Sequence, residues 1–181
     1  DHRTITFETK IKPGQTKQFY LEVRTTSSLQ VPLQAYTERS FAAQVSSENT
    51  ILGMYYGIIL VMILFNGLLW IDLREKTYLS YSSFLSFYFI LQLSLNGNAF
   101  KLLLPNNPYI HSLILPVSAF LVFAFASKFT LEFLSWTAEK KLWGKAVFRL
   151  EQVSFLFALA SIAFPYSFII KVLVATAILG P

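Results

Sequence analysis

An uncharged apolar run over residues 51–71 constrains the fold of this chain more than any other feature. A helix needs about 20 apolar residues to cross the hydrocarbon core of a bilayer, and this run is long enough. Every backbone amide inside lipid must find its hydrogen-bond partner within the segment, so an isolated run of this kind has to be a helix. The sequence therefore predicts an integral membrane protein in contact with the lipid bilayer.

The composition agrees with a membrane protein. Hydrophobic residues make up 54% of the chain and charged residues only 14%, whereas an average soluble domain has about 25% charged residues. The chain has no cysteine, which excludes disulfides and thiolate metal sites within it. Several of the positive charges behind the net charge of +5 lie beside membrane segments and form no basic surface with interleaved aromatics, which argues against nucleic-acid binding.

Further apolar segments follow the first. The predicted helices are residues 51–71, 78–95, 112–134 and 147–164, with a partial fifth helix within 168–181. The fifth apolar segment is too short to span a bilayer before it reaches Gly180-Pro181. The predicted fold class is a membrane α-helical bundle with about four complete transmembrane helices and part of a fifth. We expect the chain to be a fragment of a longer protein.

Residues 1–41 have a different pattern, in which apolar and polar residues alternate as in half-buried strands. Strands are predicted within residues 4–11, 18–24 and 29–36, with a turn at Pro13-Gly14. So few strands cannot close a sandwich, so we interpret them as the last strands of a larger β domain. Residues 42–50 then form a polar juxtamembrane connector, with Ser47, Asn49 and Thr50 as alternative caps of the first helix.

Positive charges in short loops predict the orientation. The loops after the first and third helices are rich in lysine and arginine, whereas the alternate loops have one lysine each. The residues concerned are Arg74, Lys76, Lys140, Lys141, Lys145 and Arg149 on one side, and Lys101 and Lys171 on the other. The positive-inside bias places the first set in the cytoplasm and the β segment outside.

Small residues recur on one face of the first predicted helix. Gly53 and Gly57 form a small-xxx-small pair, and Gly67 continues roughly the same face, so helix backbones can approach closely there. Packing within the same bundle is the favoured interpretation. Homodimerisation through the first helix is the alternative.

Polar side chains of the first two helices are candidates for an intramembrane network. Tyr81, Tyr88 and Gln92 recur at helical spacing, which is typical of a buried hydrogen-bonding seam and also fits a ligand cavity. Asn66 is the buried amide of the first helix. It is expected near the cytoplasmic end, too far from Gln92 for a hydrogen bond between the two.

The third helix contributes two charged candidates. Lys128 and Glu132 lie at i and i+4, where an intramembrane ion pair is one interpretation and snorkelling of both side chains to the interface is the favoured one. His2 and His111 have no neighbours at metal-ligand spacing. No catalytic triad, phosphate-binding loop or pair of catalytic carboxylates is recognisable, so we expect no cofactor and no enzyme activity within these residues.

Several short motifs follow one another at helix-sized spacing. They are Tyr55-Tyr56-Gly57, Phe65-Asn66, Leu73-Arg74, Tyr78-Leu79-Ser80-Tyr81, Gln92-Leu93-Ser94-Leu95-Asn96-Gly97, Phe100 and Pro105. In this order they resemble the opening of a bacterial family, the seven-transmembrane receptors with diverse intracellular signalling modules. The turn Lys10-Ile11-Lys12-Pro13-Gly14-Gln15 and the strand Phe19-Tyr20-Leu21-Glu22-Val23-Arg24 resemble the end of that family's extracellular β-sandwich sensor.

The resemblance implies an antiparallel, jelly-roll-like β-sandwich in the periplasm that binds carbohydrate-like or other small ligands. It also implies seven helices in the bacterial inner membrane and a cytoplasmic output module in cis, such as a histidine kinase, a diguanylate cyclase or a phosphatase. This chain departs from that plan, with only the last strands of the sensor, about four complete helices and no output module. Phe65 stands where the family more often has tyrosine.

The predicted function is the relay of ligand binding from the outer β domain to the cytoplasmic module. One alternative is a membrane anchor or assembly subunit without signalling output. A transporter fragment is less favoured, because such proteins usually have broken helices or ionisable groups near the midplane and the first two helices have neither.

Overall fold

Helices dominate the structure, a computed structural model that describes residues 6–23, 33–98, 108–135, 142–163 and 166–179. The helices are α1 (Glu38–Leu73), α2 (Lys76–Leu95), α3 (Pro108–Phe133), α4 (Leu142–Ala163) and α5 (Tyr166–Leu179). Each predicted membrane segment overlaps one of them, so the helical part of the predicted fold class is confirmed.

The first helix is much longer than the apolar run within it. α1 begins at Glu38, so the predicted polar connector at residues 42–50 is its first part, and its cap is Thr37. The Thr37 hydroxyl accepts from the Ser40 amide and the Ser40 hydroxyl accepts from the Thr37 amide, which is a capping box. The sequence interpretation took polarity for a loop, but no glycine or proline interrupts the chain from Glu38 to Leu52.

A tight turn reverses the chain between α1 and α2. Arg74 adopts the left-handed conformation (φ 58°, ψ 18°), and its amide donates to the Trp70 carbonyl at 2.9 Å. At the other end of α2, Gly97 (φ 72°) donates to the Ser94 carbonyl at 3.1 Å. Because the first turn is so short, α1 and α2 lie side by side and antiparallel along the bundle.

The third helix lies at the centre of the bundle. α3 contacts α2, α4 and α5, whereas α1 packs substantially only on α2. Phe120 of α3 is fully buried and forms the core with Ala158 of α4 and Ile169 of α5. The face of α4 that is buried carries mostly small side chains, namely Gly144, Val147, Ser154, Ala158 and Ser161. Small residues let α3 and α4 approach closely along this face, beside ring contacts such as Phe120 with Phe157.

The helix lengths and the outer face of α1 fit a lipid environment. In the described part of the chain, α1 and the stretch Leu113–Phe133 of α3 are each long and apolar enough to cross a membrane. The outward face of α1 is an apolar stripe whose side chains are each more than half exposed: Ile51, Met54, Ile58, Val61, Leu64 and Leu68. A stripe of this size is normally covered in soluble proteins, whereas lipid tails solvate it at no cost.

The predicted β-sandwich is not seen in the described residues. Residues 6–23 and 33–37 contain no strand, and the predicted strand residues 4–5, 24 and 29–32 lie outside the described ranges. The turn at Pro13-Gly14 is present, with Gly14 at φ 78° and the Gln15 amide bonded to the Lys12 carbonyl at 3.0 Å. Apolar side chains such as Phe7 and Phe19 are exposed in this segment. A strand is stable only when it pairs with neighbouring strands, and no paired strand covers these side chains among the described residues.

Candidate functional site

A chain of hydrogen bonds joins α1 to α2 halfway along α1. The Tyr55 hydroxyl donates to the Tyr88 hydroxyl at 3.0 Å, and the Gln92 side-chain amide donates to the same oxygen at 2.9 Å. The Tyr88 oxygen can accept both bonds, since a phenol oxygen has two lone pairs. The structure thus brings together two of the predicted network residues, Tyr88 and Gln92, and adds Tyr55 from the neighbouring helix.

A second set of polar contacts surrounds Tyr56, one residue further along α1. Its hydroxyl accepts from the Asn96 side chain at 3.0 Å and from the Asn98 side chain at 3.2 Å. Its ring meets the Phe89 ring edge-on, with centroids 5.5 Å apart. Tyr56 therefore bonds α1 to the residues that follow α2. Together, Tyr55 and Tyr56 hold α1 against both the middle of α2 and its C-terminal end.

Nearer the α1–α2 turn, the two helices are in close backbone contact. The Ser82 hydroxyl of α2 donates to the Ile63 carbonyl of α1 at 3.1 Å. A Cβ at Gly67 would lie 3.8 Å from the same Ser82 oxygen, so Gly67 belongs to this interface. Asn66 is buried and donates to the Met62 carbonyl of its own helix at 2.8 Å, so it needs no partner from another helix.

The other two glycines of α1 lie on its open side. A Cβ at Gly53 or Gly57 would meet nothing within 4 Å. Gly57 lines a shallow apolar groove along α1 with Met54, Ile58, Val61 and Met62. Packing of Gly53 and Gly57 against another helix of the same bundle, the favoured interpretation of the sequence, is therefore absent among the described residues.

The different surroundings of these glycines predict different effects of one substitution. We expect Gly67→Leu to lower the free energy of unfolding by about 1–3 kcal/mol, because the added atoms must displace Ser82 and separate the helices. The matched variant Gly57→Leu should leave it within about 0.5 kcal/mol of wild type. Unfolding of both variants in detergent checks this, and equal losses would show that α1 packs differently.

Three helices bring polar side chains together at the end of the bundle that contains the α1–α2 turn. The Ser80 hydroxyl of α2 donates to the Glu132 carboxylate of α3 at 2.5 Å, and Ser80 itself is only 2% exposed. Lys128 of α3 and Glu151 of α4 are half-buried towards the same end of the bundle. Because Glu132 bonds to a buried hydroxyl of the next helix, its carboxylate is directed into the bundle and does not snorkel.

Aromatic rings occupy the space between α2, α3 and α4. Tyr81, predicted to join the polar network, packs its ring against Phe129 with centroids 5.0 Å apart. The Phe84 ring lies between Tyr81 and Tyr88, with centroids 6.2 Å and 6.1 Å from theirs. The Phe125 ring stacks on Phe87 at 5.3 Å and meets Phe155 edge-on at 5.5 Å. Each of these ring pairs has a preferred geometry. Together they favour one rotation of the three helices relative to one another.

Sequence reasoning missed several of these residues, although signals for some were present. The two-residue turn after α1 places residues at similar distances from it side by side, which would have paired Tyr56 with the region of Asn96. Glu151 lay inside a predicted membrane span, where a charge is itself a signal. Ser80 gave no signal, since serine is common in such helices. In the described part of the chain no group of three metal-ligating side chains is present.

Comparisons with known proteins match nearly the whole chain to two family models. The model described as 7TM diverse intracellular signalling matches residues 48–181. The model described as 7TMR-DISM extracellular 2 matches residues 1–37. The extracellular match ends at Thr37, the cap of α1, and the 7TM match begins at Glu48, within α1. Neither the curated proteins nor the solved structures gave a match to the chain.

Proposed function

Because the chain belongs to the family of 7TM diverse intracellular signalling proteins and is therefore part of a membrane signalling receptor, we propose that it relays ligand binding outside the membrane to a cytoplasmic output module in cis. The ligand is a small molecule of carbohydrate-like chemistry that binds the outer β domain. The module is a histidine kinase, a diguanylate cyclase or a phosphatase. The residues described above transmit the signal and carry no catalytic step.

The observation that carries this proposal is the continuity of α1. Its 36 residues from Glu38 to Leu73 form one unbroken helix, roughly 54 Å long, whereas the hydrocarbon core is about 30 Å thick. The helix therefore extends well beyond the membrane-spanning run, towards the segment matched by the extracellular family model. A continuous helix transmits a rotation or displacement along its axis, because each turn is bonded to the next.

The start of α1 is built to fix the direction in which the chain enters it. Besides the capping box at Thr37 and Ser40, the Tyr36 ring packs on Phe41 with centroids 6.1 Å apart. A contact between the residue before the cap and the fourth helical residue is a hydrophobic staple, which sets the entry angle of the chain. A movement of the preceding segment would thus reorient the helix instead of being absorbed at a loose joint.

The proposed location is the bacterial inner membrane, with the N-terminal segment outside. Arg74 and Lys76 flank the α1–α2 turn, and Lys145 and Arg149 lie in the first turns of α4, at the same end of the bundle. This charge distribution favours the cytoplasm for that end. The polar contacts of Ser80 and Glu132 then lie near the cytoplasmic face, where an output module would receive the signal.

Insertions into α1 test the relay. We expect one to four alanines inserted between Ser46 and Ser47 to change the basal activity of the full-length receptor with a period near 3.6 residues, because each adds about 100° of rotation. Seven alanines, close to two turns, should restore the wild-type level. The measurement is autophosphorylation, cyclic dinucleotide synthesis or phosphate release, according to the output module.

Glycines inserted at the same position are the matched control. Four glycines have the length of four alanines but weaken the helix, since each costs about 1 kcal/mol relative to alanine. With four glycines inserted, the activity of the output module should be the same with and without ligand on the outer domain. Output that is identical for every alanine insertion would contradict the relay and would favour the alternative function, a membrane anchor without signalling output.

We also propose that a second copy of the receptor packs on the open face of α1. Gly53 and Gly57 leave room there for a close helix approach. Cysteines introduced at Met54 and Ile58 should form disulfides between two copies in membranes, while cysteines at Tyr55 or Ile59, which face α2, should not. Gly57→Leu should reduce this crosslinking.

A further inference from the structure

The hydrogen bond between Ser80 and Glu132 is the one described polar contact between α2 and α3. Ser80 donates to the Glu132 carboxylate at 2.5 Å across the interface of the two helices. Ser80 is buried and Glu132 is half-buried. The other described contacts between the two helices are formed by aromatic rings, such as Tyr81 with Phe129 and Phe87 with Phe125.

This arrangement stabilises one relative position of α2 and α3. A hydroxyl bonded to a carboxylate makes a charge-assisted hydrogen bond, which is among the stronger contacts in a bundle interior. If α3 slid away from α2, the Ser80 hydroxyl, which belongs to a residue only 2% exposed, would lose its charged partner, and an unmade bond of this kind is costly. A shift of helices by 1–2 Å, typical of signalling transitions, is large enough to break it.

We propose that Ser80 and Glu132 form a polar latch that holds α2 and α3 in the resting arrangement and opens when the receptor signals. This inference rests on the proposed function, and it specifies the place in the bundle at which signalling is controlled. In the proposed orientation the latch lies at the cytoplasmic end of the bundle, at the far end from the segment that receives the ligand. Opening it changes the spacing of α2 and α3 where they leave the membrane.

The test compares two latch variants with two matched controls in the full-length receptor. Ser80→Ala and Glu132→Gln remove or weaken the bond between the helices. Ser86→Ala and Thr130→Val remove hydroxyls of α2 and α3 that bond only within their own helices, to the Ser82 and Ala126 carbonyls at 2.8 Å. The sequence has no cysteine of its own, so spin labels at Lys76 and Leu134, both exposed, report the distance between α2 and α3.

We expect the latch variants to lengthen the distance between the labels by about 2 Å and to raise basal output about tenfold. The controls should change neither. The double variant should not exceed the larger single effect, because both substitutions remove the same bond. Ser80→Ala, the smaller change, keeps the test decisive if Glu132→Gln lowers the yield of folded protein.

An unchanged distance in both latch variants would overturn the proposal. A longer distance without higher output would overturn it as well, since the contact would then be structural only. Either result leaves the alanine-insertion experiment on α1 standing as an independent test of the relay. If the insertions and the latch variants all leave output at the wild-type level, the proposed function fails together with the latch.

Discussion

Replacing Val45 by proline should abolish the response of the output module to ligand. The substitution removes the amide that bonds to the Phe41 carbonyl within α1, and the proline ring clashes with that carbonyl, which together cost about 3 kcal/mol or more. The change lies in the part of α1 that precedes the apolar run, so the membrane-embedded helices should fold normally. The break would separate the rotation of the outer part from that of the inner part.

Proline at Glu38 is the matched control for this break. Glu38 is the first residue of α1, where a missing amide is tolerated because it has no partner within the helix. The preceding residue, Thr37, is already extended, with ψ 155°, as a residue before proline should be. Output should be measured with and without a ligand found by screening carbohydrates for thermal stabilisation. A normal response in Val45→Pro would show that rigidity of α1 is not needed.

A large residue at Ala158 should destabilise the bundle more than any substitution on its surface. Ala158 of α4 is buried against Phe120 and Ile169, so Ala158→Leu has to push three helices apart. Overpacking of a tight core costs about 1–3 kcal/mol and occasionally more. We expect a value near the upper end, because Ala158 and its neighbours Phe120 and Ile169 are all almost completely buried.

The same substitution at Ala146 separates overpacking from a general effect of leucine. Ala146 lies on the exposed side of α4, three turns from Ala158. Ala146→Leu should change the free energy of unfolding by no more than about 0.5 kcal/mol. Thermal and SDS-induced unfolding of both variants gives the comparison. Equal stability of the two variants would show that α4 packs with a different face towards α3.

Much of the helical architecture could be predicted from the sequence, because the requirement for internal hydrogen bonding in lipid leaves few alternatives. The ends were harder to place. The start of α1 at Glu38 was missed because the polar composition was read as a connector. The capping box of Thr37 and Ser40 also lacks the usual sequence pattern, since serine stands in place of glutamate or glutamine. The predicted strands needed pairing partners that local alternation cannot supply.

The polar contacts were predictable only within a single helix. The spacing of Tyr88 and Gln92 indicated a shared face, and the two side chains do bond. The contact between Ser80 and Glu132 joins residues 52 positions apart, so it depends on how α2 and α3 are rotated against each other. That rotation is set by ring contacts such as Tyr81 with Phe129. Sequence periodicity gives the face of a helix but not its neighbour.

The bonds between α1 and α2 decide how a displacement would travel along the first helix. The described hydrogen bonds from α1 to its surroundings lie at Tyr55, Tyr56 and Ile63, close to the middle of the helix. About 26 Å of helix extends from Tyr55 towards each end. α2 follows α1 after two residues, and Gly67 also lies against Ser82, so the inner half of α1 does not swing separately from α2. A sideways push on the outer half would therefore tilt the two helices together and reach the α1–α2 turn through the pair.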